Sequence, residues 1–217
     1  MKVLGVSAGF HDAGLAVIND GEILFAGHSE RYSKQKHDHH LCPDIIEHAL
    51  SYGPIDCIAF YEKPWLKKTR EIYAGQGIEG GDRSSTWTTK GALKREFKDQ
   101  LPNVPIKTYM HHQTHTAAGF QTSPFDDATV VVIDAIGEWE TITIWHAYYD
   151  KNGHACYEKL WKQHYPHSIG LYYSAMTARL GLRPLDEEYI MMGMAGWGNA
   201  SGLEQNLIES EFVHDMA

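Results

Sequence analysis

The chain has 217 residues, 43% of them hydrophobic and 22% charged, a balance typical of a globular protein with one good core or two small lobes around a cleft. Its formal net charge of −9, with histidine neutral, argues against a nucleic-acid surface, which needs a basic stripe. No apolar run reaches the roughly 20 residues that cross a bilayer, and the opening Met1-Lys2-Val3-Leu4-Gly5-Val6 is apolar only for a strand's length, so no membrane partner and a cytoplasmic location are expected.

In chain order, Lys2 to Ser7 reads as a strand running into the turn Ala8-Gly9. Leu15 to Ile18 is a second strand, Asn19-Asp20-Gly21 a turn, and Glu22 to Gly27 a third strand, which together make an antiparallel meander. A charged segment, Ser29 to His40, leads to a helix from Pro43-Asp44 with Ile45, Ile46, Ala49 and Leu50 on its apolar face. Asp56 to Tyr61 is a short buried strand. Residues 62–100 turn polar and glycine-rich around Gly75-Gln76-Gly77, and read as a mobile insertion flanked by helices, either a plain surface loop or a lid that admits substrate. The three cysteines, Cys42, Cys57 and Cys156, are widely spaced without a CxxC pair, and are expected to be reduced and buried.

Order returns with a strand near Ile106 to Tyr109, a histidine-rich helix within Thr108 to Phe120, and a fully buried strand from Ala128 to Ile133 that ends at Asp134. A small-residue turn, Ala135-Ile136-Gly137, then leads to strands at Thr141 to Trp145 and Cys156 to Gln163 and a helix over Ser168 to Leu180. This repeats the opening order of strands and helix. The pattern suggests an α/β protein of two ribonuclease-H-like halves facing one cleft, as in the actin group. The first would span residues 1–127, and the second, residues 128–217, would be incomplete.

His111 and His115 stand four residues apart, so on a helix they share one face with Cβ atoms about 5–6 Å apart. Two imidazoles so placed can share one divalent ion, with Asp134 as a hard oxygen ligand; spacing alone also fits two partly buried polar residues. The loop Ser7-Ala8-Gly9-Phe10-His11-Asp12-Ala13-Gly14 puts His11 and Asp12 at a bend, and its glycines allow close approach of an anion. A hairpin with a surface histidine fits it as well. Arg31, Lys34 and Lys36 form a locally positive edge suited either to a phosphate or to plain solvation.

The wording of these segments resembles the O-carbamoyltransferase family of nodulation-factor and tobramycin carbamoyltransferases. HHQTHTAAGFQTSPF, a strand ending in Asp134 and then Gly137-Glu138-Trp139-Glu140-Thr141 match the family's HHxSHAASAFxxSPF and DGxGEWxTT. His11-Asp12 fall at the HD of LGISxGxHDSAxAL, residues 29–38 match EERFTRxKHD, and residues 187–198 match NEGEYKVMGLAPYG. Ile190 stands where the family has Lys, and Ala135 where it has Gly.

The resemblance implies the N-terminal part of an actin-like catalytic domain. Carbamoyl phosphate and ATP would give a carbamoyl-adenylate, from which the carbamoyl group passes to a substrate hydroxyl. Carried onto this chain, His111, His115 and Asp134 would hold an iron-type divalent metal, and His11 and Lys36 would be catalytic, near the carbamoyl group. Asp12 and Arg31 would bind substrate, and Gly137 and Glu138 would serve the nucleotide cofactor. The later half of the catalytic domain would come from a further C-terminal part, as the rest of a longer protein or as a separate partner. A non-catalytic metal- or nucleotide-binding subunit is the alternative, whereas a sugar or acid kinase would have no use for the HxxxH helix.

Overall fold

The computed structural model describes residues 1–9, 12–75, 97, 100–101 and 103–198. The chain divides into two compact units, Met1–Ser168 and Ile169–Ala217.

In the first unit, β1 (Lys2–Ser7), β2 (Gly14–Asn19) and β3 (Glu22–His28) form the antiparallel meander. Alternation drives it, because Leu4, Val6, Leu15, Val17 and Phe25 all turn to the buried face. The β2–β3 turn uses Asp20 and Gly21 with φ of 49° and 92°, the paired left-handed geometry that matches strand twist. A short helix α1 (Glu30–Ser33) follows and stops at Lys34, whose φ is 59°. Helix α2 (Pro43–Leu50) opens on a proline and buries Ile45, Ile46 and Ala49.

Next, β4 (Cys57–Phe60) lies parallel to β1, α3 (Pro64–Tyr73) begins the expected insertion, and β5 (Ile106–Thr108) lies parallel to β4. The mixed sheet has the order β3-β2-β1-β4-β5. The centre of the insertion, residues 76–96, lies outside the described residues.

Helix α4 (His111–Gln121) leads to the second sheet, built from β6 (Asp127–Ile133), β7 (Glu140–Tyr149) and β8 (Ala155–His164) in that order, all antiparallel. The expectation that β6 is fully buried is corrected here. Val132 is buried, but Val131 is 55% and Ile133 59% exposed. The helix α4 covers one face of this sheet, where Thr141, Thr143, Trp145 and Ala147 of β7 are also buried; a continuous apolar run does not say how many faces are covered. The cysteines are all free, but only Cys57 is buried.

In the second unit, α5 (Ile169–Arg179) precedes α6 (Glu188–Ala195). Ser174 Oγ donates to Glu188 Oε1 at 2.6 Å, and the same oxygen accepts the Leu185 N–H at 2.6 Å, which fixes the start of α6. No helix of the described residues is long and apolar enough to cross a membrane.

Candidate functional site

Met110 cannot cap α4, because its side chain offers no acceptor. Glu138, which is fully buried, takes that role from across the fold. Its carboxylate oxygens each lie 3.1 Å from the His111 nitrogen, and Oε1 also accepts the Lys63 N–H at 2.8 Å. Burial pushes the Glu138 carboxyl above the usual carboxylate range, with those N–H groups working the other way. A second tie comes from Thr114 Oγ1, which donates to the Tyr61 carbonyl at 3.1 Å. The first turn of α4 is thus pinned to the ends of β4 and β6.

Those pins bring three ligand atoms together. His111 Nε2 lies 3.0 Å from Asp134 Oδ2 and 3.0 Å from His115 Nε2, and one ligand atom from each residue falls within 4.8 Å of the others. His115 is exposed while His111 and Asp134 are half-buried, so the cluster opens to solvent on the His115 side. Burial opposes the charge on Asp134, but the His111 hydrogen bond and the Ala135 N–H outweigh it and hold the carboxyl down at about 2. Burial, helped by neighbouring His111, holds the His115 imidazole below its ordinary value. A carboxylate oxygen beside two imidazole nitrogens is a donor set that fits a divalent transition metal.

Gly137 closes the back of the cluster. A Cβ there would lie 3.0 Å from His112 Cδ2 and 3.2 Å from His111 Cβ, so glycine is what lets the loop approach α4. Behind it His112 is fully buried, with Nδ1 2.9 Å from Thr143 Oγ1, which also accepts from Trp145 Nε1 at 2.7 Å.

The remaining sequence candidates form a second group. Asp12 Oδ1 lies 3.2 Å from His37 Nδ1. Lys36 Nζ reaches Glu30 Oε2 at 3.4 Å, and the His37 N–H donates to the same oxygen at 3.3 Å. Arg31 is largely exposed, its Nε 4.0 Å from Glu30. The Gly9 and Ala13 N–H groups donate to the carbonyls of His39 and Asp38 at 3.0 and 2.7 Å, so residues 38–39 fasten both flanks of the loop. His11 lies outside the described residues.

Sequence reasoning missed Glu30 and His37 as the organisers of this group, and Tyr61, Thr114 and Thr143 as supports of the first. Glu30 and His37 stood inside the charged stretch 29–38 and were legible there; the others are identified only by contacts.

The chain matches the family described as Carbamoyltransferase N-terminus over residues 2–214. It is 34% identical to the Synechocystis sp. protein sll1178, a match covering 90% of this chain and 34% of that protein. It is 25% identical to nodulation protein NolNO of Sinorhizobium fredii, covering 87% of this chain and 28% of the other. With Methanocaldococcus jannaschii protein MJ1051 the identity is 22%, over 99% of this chain and 36% of that one. The chain therefore spans about a third of the length of these relatives. Since the family match runs nearly from end to end, the chain belongs to the carbamoyltransferase N-terminus family.

Proposed function

We propose that this chain is the N-terminal portion of an O-carbamoyltransferase, which moves a carbamoyl group from carbamoyl phosphate, through a carbamoyl-adenylate made with ATP, to a hydroxyl of a small molecule. The observation that carries the reading is the convergence of His111, His115 and Asp134 within 4.8 Å in a chain of this family. The order β3-β2-β1-β4-β5 with its parallel and antiparallel pairs supports taking the first sheet as one half of an actin-like fold. Three free cysteines fit a cytoplasmic setting.

In this reading the three residues hold an iron-type divalent ion. When bound, the metal supplies Lewis-acid charge for phosphate oxygens. Asp134 gives the oxygen ligand, and His111 and His115 give the imidazole nitrogens. Glu138 and Gly137 serve the nucleotide indirectly, by setting where the His111 backbone sits. Lys36 and Arg31 supply cationic hydrogen bonds for phosphate, Asp12 orients His37, and His11 acts as base on the incoming hydroxyl or as a donor to the carbamoyl group.

The test mixes the chain with a separately produced remainder of the Synechocystis relative, adds carbamoyl phosphate, ATP and a set of sugar hydroxyl acceptors, and follows the carbamoyl label. ATP-dependent transfer that His111→Ala abolishes is the expected result. Metal binding without any transfer would instead favour a non-catalytic binding subunit.

A further inference from the structure

Around helix α3 the fold buries charge. Glu62, Lys68, Arg70 and Glu71 are none of them more than 7% exposed, and charged groups are buried this deeply only when they have partners. Two pairs meet that condition: Lys67 Nζ lies 3.1 Å from Glu62 Oε1, and Lys68 Nζ lies 3.2 Å from Glu71 Oε2. Arg70 does not. Among the described residues its guanidinium forms no ion pair, and its one hydrogen bond runs from Nε to the Glu138 carbonyl at 3.2 Å. Burial holds the guanidinium below its ordinary pKa, while Glu71, Glu62 and the Tyr165 phenol work the other way. Both carboxylates are already engaged by lysines, so the three cations exceed the two acids by one charge, and a guanidinium cannot shed its proton to remove it.

The unpaired end of Arg70 is not sealed. The buried side-chain atoms of the described residues that lack both solvent and a hydrogen bond are Glu71 Oε2, which meets Lys68 as an ion pair without hydrogen-bond alignment, His111 Nδ1, His112 Nε2 and Glu140 Oε2. Neither Nη of Arg70 is shut away like these, so the exposed 7% of the residue includes its fork. The stem behind that fork is held firmly. Nε is spent on the Glu138 carbonyl, Trp139 Nε1 donates to Thr69 Oγ1 at 3.2 Å, and the Tyr73 and Trp139 rings lie 5.4 Å apart. Two coplanar Nη groups on a fixed stem make the geometry that takes two oxygens side by side.

We propose that the two Nη groups of Arg70 bind a small oxyanion, a phosphate group or a carboxylate, at a site that shares no residue with the histidine cluster or the Lys36 edge. The anion supplies the missing counter-charge. The same guanidinium holds the Glu138 carbonyl, and the Glu138 carboxylate accepts the His111 N–H, so an occupied fork braces the loop that caps α4.

The experiment uses the full chain, uniformly labelled for magnetic resonance, stripped of metal and freed of chelator, so that its outcome does not depend on the metal reading. Inorganic phosphate and acetate are titrated separately at constant ionic strength in chloride, and the Arg70 side-chain N–H signals are followed. The proposal expects one or both anions to shift those signals saturably below about 10 mM, and the anion that saturates first names the class. Arg70→Lys keeps the charge but loses the fork, and is expected to weaken binding at least about tenfold by calorimetry; Lys36→Gln is expected to leave the Arg70 shift as it was. Should Arg70→Lys misfold, the titration of the unaltered chain decides alone. Arg70 signals that stay still, or that drift without saturating, mean a guanidinium served by water only and overturn the proposal. Equal affinity in a folded Arg70→Lys chain overturns it as well, and a shift that Lys36→Gln abolishes moves the anion to the other edge.

Discussion

Both carboxylate oxygens of Glu138 lie 3.1 Å from the backbone nitrogen of His111. This one contact ties the loop after β6 to the first turn of α4. The same loop begins with Asp134, so the Asp134 carboxylate and the His111 and His115 imidazoles are set against each other through Glu138. Replacing Glu138 with Ala leaves the Lys63 and His111 N–H groups buried without an acceptor, at an expected cost of about 2–4 kcal/mol. Urea unfolding measures it. Glu138→Gln keeps one amide oxygen as acceptor and is expected to lose less.

Gly137→Ala pushes a methyl group to 3.0 Å from His112 Cδ2 and 3.2 Å from His111 Cβ. The His112 ring is fully buried and held by Thr143, so the α4 backbone has to give. The expected destabilisation is about 1–3 kcal/mol, with a matching loss of metal affinity, checked by thermal melting and metal titration.

Thr143→Val keeps the shape of the side chain but removes the one hydroxyl that serves both Trp145 Nε1 and His112 Nδ1. Two buried polar atoms are then left unpaired, for an expected loss of about 1–3 kcal/mol. Thr143→Ser, with the hydroxyl kept, is expected to recover most of it in the same unfolding assay.

Burial pulls the His112 pKa down to about 4 from an ordinary 6.5, with Asp134 opposing. The unfolded chain takes up a proton near the ordinary value that the folded chain refuses until the lower one. Stability is therefore fully present above the ordinary value and falls as pH drops between the two, by up to about 3 kcal/mol. Unfolding free energies of chelated protein across that range are expected to slope downward with falling pH, and His112→Gln is expected to flatten the slope.

The first sheet was legible because its strands alternate cleanly and because Asp20-Gly21 is a turn that few other pairs can make. Once α4 is a helix, the juxtaposition of His111 and His115 was legible from their spacing, since spacing on a helix is also position in space. The burial of β6 was not, as Val131 and Val132 read alike and only the placement of α4 separates them. Strand β7 runs from Glu140 to Tyr149, well beyond the expected Thr141 to Trp145, because cross-strand pairing with β8 extends it past its apolar centre. The charges at Glu30, Arg31 and Lys36 were visible in the sequence, but that one Glu30 oxygen receives both Lys36 Nζ and the His37 N–H follows only from the folded contacts.

The most direct test of the account is metal binding by the purified chain after reconstitution with iron(II), zinc(II) or manganese(II), quantified by elemental analysis beside His111→Ala, His115→Ala and Asp134→Ala. The account predicts stoichiometric binding of one of these ions by the unaltered chain, weakened at least about tenfold, or about 1.4 kcal/mol, by each substitution. No bound metal in the unaltered chain, or binding that the three substitutions leave unchanged, would contradict it.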